Sequence, residues 1–127
     1  MTEGAASGRF VVLEHRWDGV HWDFMLETDG HLRTWAVDAP IELGIDLPAR
    51  ALPDHRPAYL TYEGPVSGGR GEVRRIDSGS YRVLEWSDAR VRVEIHGAQL
   101  VGEVTLDSNA SGSPASAPWK FRLGKFI

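Results

Sequence analysis

His15, His21 and Asp23 are the residues of this chain whose types and spacing could do chemistry. His21 and Asp23 are two apart, and residues at i and i+2 of a strand share a face. His15 lies upstream, across Arg16-Trp17-Asp18-Gly19-Val20, with the turn pair Asp18-Gly19 at the centre. A turn there lays the end of one strand beside the start of the next, so two imidazoles and one carboxylate converge. That set suits a divalent ion with positions left for water or substrate, and Mn, Fe(II), Zn and Co all accept it. The bland alternative is chance: a single histidine is more often a surface or satisfied core residue than a ligand.

The elements that must position these residues read as β throughout. Short β-branched and aromatic runs are punctuated by turn residues, which predicts strands over 10–14, 21–26 and 32–37, with a hairpin turn at Thr28-Asp29-Gly30. Residues 38–57 hold Pro40, Pro48, Pro53 and Pro57, a density that predicts a long loop with at most one helical turn. An extended stretch over 58–62 and a glycine-rich connection over 64–71 come next. Strands are then expected over 72–77, 80–86, 90–96, 99–106 and 119–126, with turns at 78–79, 87–89 and 97–98 and a Ser/Ala/Gly/Pro loop over 107–118. In 90–96 the alternation is clean, with Val91, Val93 and Ile95 inward. The expected fold is all-β: a small closed or partly open barrel of about eight short antiparallel strands with a long Pro-rich loop. A barrel is preferred to a sandwich because it removes exposed edges.

Bulk properties narrow the function classes. At 127 residues the chain holds one domain, expected over 9–127 behind a flexible tail at 1–8. The net charge of −4 does not advertise nucleic-acid binding, so any such contact needs a local basic patch. Cysteine is absent, which excludes disulfides, thiolate metal sites and thiol nucleophiles. The first eight residues offer neither a basic nor an apolar leader stretch, and no apolar run reaches spanning length. A cytoplasmic monomer with no membrane contact is the simplest expectation.

The segment His15-x5-His21-x-Asp23-Phe24-x-Leu26-Glu27-x2-Gly30-x-Leu32-x2-Trp35-Ala36 resembles the 3′-phosphoesterase domain of bacterial DNA-repair ligase D proteins and their stand-alone relatives. Asp54-His55, Tyr59 and Glu63-Gly64 follow in the same order as that family's Asp-His-Pro-x-x-Tyr-x-x-x-Glu-Gly segment, with Arg56 displacing the proline by one place. Leu100-x-Gly102 and Trp119 are weaker matches near the end, so the similarity runs over about 9–126. The resemblance implies a small barrel with bound Mn²⁺, Zn²⁺ or Co²⁺ being its substitutes, held by His15, His21 and Asp23. It implies that His55 and Tyr59 engage the scissile phosphate, and that Arg50 and Arg70 are candidates for further phosphate contacts. The activity implied is removal of a 3′-phosphate or a 3′-ribonucleoside from nucleic-acid 3′ ends, beside a DNA ligase or polymerase of end joining.

One departure stands out: the family pattern has arginine where this chain has Met25. Met25 is two past Asp23, on the metal-facing side, and cannot pair with an anion. Loss of an arginine fork removes a bidentate, charge-assisted contact. This opens a second expectation, a catalytically weakened member that serves as a metal, phosphate or nucleic-acid binding module. A third, an Fe(II) oxygenase with the same ligand types, is disfavoured by the short chain and by the lack of a separate downstream His and Arg pair for an oxoacid.

Overall fold

The computed structural model describes residues 7–108 and 118–126. Nine strands follow in chain order: β1 Ser7–Arg16, β2 Val20–Thr28, β3 His31–Val37, β4 Asp46–His55, β5 Gly64–Pro65, β6 Glu72–Trp86, β7 Arg90–Gly97, β8 Val101–Ser108 and β9 Pro118–Gly124. A single 3₁₀ turn, Pro57–Leu60, precedes β5. Strand order is β1-β2-β3-β4-β9-β8-β7-β6, and antiparallel pairing of β6 with β1 closes the ring. The result is an eight-stranded antiparallel barrel, with β5 added on β6. Closure is the expected solution to the edge problem.

The apolar run Phe10-Val11-Val12-Leu13 explains where the core sits. All four residues are fully buried, although alternate side chains leave opposite faces of β1. Phe10 and Val12 join Phe24, Trp35, Val93, Ile95, Leu106 and Phe121 inside the barrel. Val11 and Leu13 face outward into a second, smaller core with Met25, Leu32, Leu60 and Val73, against which Tyr59 and Val66 pack. The 3₁₀ turn and the 64–71 segment therefore cover the outer face of β1–β3. Continuous apolar runs report strands buried on both faces.

Four expectations are corrected. The Pro-rich stretch is a loop only as far as Ile45; Asp46–His55 is a ten-residue strand. Pro48 lies just past the last β3–β4 pair, Ala49↔Val37, where only its carbonyl is needed, and that accepts from the Asp38 N–H at 3.1 Å. Pro53 falls in a bulge, because the register jumps from Thr34↔Leu52 to Leu32↔His55. The 58–62 stretch, expected to be extended, contains the 3₁₀ turn instead. No turn occurs at Ser78-Gly79, because 72–86 is one strand that passes from β1 to β7. A Cβ on Gly79 would lie 2.1 Å from the His96 carbonyl oxygen, so the glycine serves close strand approach. The first strand starts earlier than expected, with Ser7 and Gly8 already in β1; residues 1–6 and most of the 107–118 loop lie outside the described residues.

Two polar anchors hold the barrel ends. The buried Tyr81 hydroxyl donates to the Glu27 carbonyl at 2.7 Å, and burial pushes its phenol up to about 12. The buried Asp77 carboxylate accepts the N–H groups of Ala98, Gln99 and Leu100 at 3.0, 3.0 and 2.7 Å. Asp77→Ala leaves those three donors without their charged acceptor and should destabilise the barrel by about 3 kcal/mol, roughly 10 °C in Tm. A thermal melt within a degree of the native one would show that water replaces the carboxylate without loss.

Candidate metal centre

Cross-strand register builds the site. In β1–β2 the partners are His15↔His21, Leu13↔Asp23 and Val11↔Met25, so all six side chains leave one face. The hairpin between them turns through Trp17-Asp18-Gly19, with Asp18 at φ 52° and Gly19 at φ 105°. The same face continues across β3 and β4 through the row Asp23↔Ala36↔Arg50 and the row Met25↔Thr34↔Leu52. Ala36, the residue between the carboxylate and the guanidinium stem, is small and fully buried.

His15, His21 and Asp23 each offer one ligand atom, and the three atoms lie within 4.8 Å of one another. His21 Nδ1 is 2.6 Å from Asp23 Oδ1, and His15 Nδ1 is 3.7 Å from Asp23 Oδ2. The Asp23 side chain is only 2% exposed. His15 Nε2 lies 2.8 Å from the Arg70 carbonyl, which can only accept, so Nε2 carries the proton. In the neutral ring Nδ1 then turns a bare lone pair toward a buried carboxylate. Two acceptors facing each other are reconciled by a cation between them, and a histidine whose other nitrogen donates to a backbone carbonyl is the usual form of a metal ligand. The donor set fits a divalent metal.

This group opens into a cavity of about 510 Å³. His15, His21, Asp23, Met25, Arg50, His55, Tyr59 and Arg70 all line it, so every residue singled out in the sequence reaches one place. His55 donates from Nδ1 to the Pro53 carbonyl at 2.9 Å, which leaves Nε2 for the cavity; its ring meets Tyr59 edge-on at 5.7 Å. Arg50 also lies 3.7 Å from Asp38. Arg70 is fixed by its own loop, donating from Nε to the Ser67 carbonyl at 2.8 Å. Three guanidiniums (Arg50, Arg56 and Arg70) against the carboxylates of Asp23 and Asp54 suit an anionic ligand.

Sequence reasoning missed two parts. Arg56 lines the cavity and makes no ion pair among the described residues; its place between His55 and Tyr59 was the available signal. The Arg70 carbonyl is a main-chain contribution that no side-chain pattern reveals. Gly71 permits it: φ is +76°, and a Cβ there would sit 1.8 Å from the Arg16 carbonyl oxygen. By contrast, Arg74, Arg82, Arg90 and Arg92 are all paired with acids on the barrel wall.

A closed β-barrel bearing a two-histidine, one-carboxylate group inside a guanidinium-lined cavity defines a small domain whose residues could hold a metal beside an anion. The profile described as "DNA Ligase D 3′-phosphoesterase domain" matches residues 13–107, and the chain belongs to that family. A multifunctional non-homologous end joining protein LigD from Mycobacterium bovis is 35% identical over 106 residues, covering 76% of this chain and 14% of that protein. The LigD protein of Mycolicibacterium smegmatis is 29% identical over 114 residues, covering 77% of this chain and 15% of its own length. That of Pseudomonas aeruginosa is 32% identical over 82 residues, covering 61% and 10%. The chain thus spans about a seventh of the curated relatives it matches. Among the described residues no helix is long and apolar enough to cross a membrane.

Proposed function

We propose that this domain is a divalent-metal-dependent 3′-phosphoesterase that trims nucleic-acid 3′ ends, removing a terminal 3′-phosphate or 3′-ribonucleoside. The observation that carries the reading is the convergence of the His15–His21–Asp23 group, His55, Tyr59 and three arginines on one cavity. His15, His21 and Asp23 hold the metal, Mn²⁺ first, with Zn²⁺ or Co²⁺ as substitutes. The chemistry such an ion supplies is charge neutralisation on phosphate oxygens and activation of water near neutral pH. For a 3′-phosphate, water adds to phosphorus and the 3′ oxygen leaves with a proton, giving inorganic phosphate and a 3′-OH. His55, anchored through Nδ1, gives that proton or holds a phosphate oxygen through Nε2, and the Tyr59 hydroxyl donates to the same group. Arg50 and Arg70 hold the phosphate from either side, with Arg56 as a third cation. The 3′-OH is what a ligase or polymerase of end joining requires, and the names of the relatives support that setting.

The test is conversion of a labelled DNA strand ending in 3′-phosphate, or in one 3′-ribonucleotide, by the native protein in Mn²⁺. A 3′-OH product is expected, and turnover should fall about a hundredfold in His55→Ala. No product from the native protein would sink the enzymatic reading. Met25 specifically favours the alternative that then remains, a phosphate or nucleic-acid binding module, because it sets a fully buried thioether in the cavity wall beside Asp23.

Gly71 supplies a second check. Gly71→Ala should push the 70–71 backbone off Arg16, release His15 from the Arg70 carbonyl, and lower Mn²⁺ affinity about ten- to a hundredfold. Calorimetry that returns the native affinity would show that this carbonyl does not orient the ligand.

A further inference from the structure

We infer that Trp17 forms a nucleobase subsite beside the metal group, so that the 3′ end is gripped through a base as well as through its phosphate. This rests on the phosphoesterase reading for the identity of the strand, but on separate residues. Trp17 lies in the β1–β2 turn and lines the same cavity as His15, His21 and Asp23. Its indole stacks on the His15 ring, with centroids 6.3 Å apart and planes 21° from parallel. One face is therefore occupied, yet Trp17 remains 49% exposed. About half of the residue therefore meets solvent. A half-exposed indole held nearly parallel to a site residue offers what a base needs for stacking, since every base has a π-face.

The platform is held in place. The turn beneath it is set by Asp18 and Gly19 at positive φ, and the Trp17 N–H donates to the Gly19 carbonyl at 3.0 Å. The 64–71 segment comes close at the root of the side chain, where a Cβ on Gly71 would fall 2.7 Å from Trp17 Cβ. A platform fixed before binding loses little side-chain freedom when a base lands on it. The wall next to Asp23 is apolar at Met25, so the cavity offers less charge-based grip where the family pattern has arginine. Stacking at Trp17 supplies affinity that does not depend on that charge, and it ties recognition to an unpaired base at the 3′ end.

The experiment measures binding without turnover. Single strands ending in 3′-phosphate, with the last two nucleotides either carrying bases or abasic, are titrated against the full chain by fluorescence anisotropy in EDTA. Phosphate contacts are common to both strands and cancel in the ratio of their Kd values. The base-bearing strand should bind about tenfold tighter or more, Trp17→Ala should bring the ratio close to one, and Trp17→Phe should keep most of it. Equal Kd values for the native protein, or a ratio unchanged in Trp17→Ala, would overturn the subsite. Turnover in Mn²⁺ is followed on the same strands. Base discrimination without any 3′-OH product would sink the phosphoesterase reading and leave the base subsite standing.

Discussion

Replacing His21 by alanine should abolish stoichiometric Mn²⁺ binding and reduce 3′-phosphatase turnover by at least about a hundredfold. Loss of a group that only orients a ligand typically lowers metal affinity ten- to a hundredfold, so loss of a ligand itself belongs at or beyond the upper end. The barrel should survive, because His21 is half-buried near the start of β2 and belongs to neither apolar core. Isothermal titration with Mn²⁺, run beside a thermal melt, separates the two effects. Native-like binding in this variant would remove the three-residue metal group. Asp23→Ala carries a further consequence, because the carboxylate is the buried member and the only negative ligand of the three. Its removal should weaken binding at least as much.

Met25→Arg is the second large expected effect, and its two consequences oppose each other. Met25 is 1% exposed within the outer core formed with Val11, Leu13 and Leu32, so a guanidinium there must thread its stem through apolar contacts to reach the cavity. A stability loss of about 2 kcal/mol is expected from disturbed packing and partial desolvation. At the cavity end, the added donor pair beside Asp23 should raise 3′-phosphatase kcat/KM by about a hundredfold, the usual size of one well-placed electrostatic contact. Kinetics at a temperature where both proteins are folded, with Tm measured in parallel, test both signs. A lower Tm with no kinetic gain would mean that the cations already lining the cavity supply all the grip the phosphate needs.

Much of this was legible in the sequence because the ligand group is local. The His15 to Asp23 segment needs only one hairpin, and both strand period and turn chemistry are readable at that range. The same holds for Trp22, whose alternation against His21 and Asp23 places it on the inner core. Arg50 was harder, since its arrival at the site depends on β4 being a strand at all. Four prolines argued against that; the ladder end at Pro48 and the bulge at Pro53 are tertiary solutions that composition does not announce. Gly79 misled for a related reason. A glycine in a strand and a glycine in a turn look alike in sequence, and only the neighbouring His96 backbone distinguishes them. The resemblance singled out His55 and Tyr59, and their meeting with the hairpin depends on the 3₁₀ turn packing over the outer face of the barrel.

The three candidate ligand side chains all come from the first hairpin, eight residues apart at most, whereas His55, Tyr59 and the arginines arrive from chain that follows β3. Contacts of short sequence separation form before long-range ones, because less loop entropy opposes them. The candidate ligands can therefore come together within the hairpin before β6 seals the ring, while the Arg70 carbonyl behind His15 and the residues proposed to meet the substrate join only as later chain packs over it. An ion captured early would bias the order of folding toward this end of the chain, with the residues proposed to meet the substrate becoming competent later.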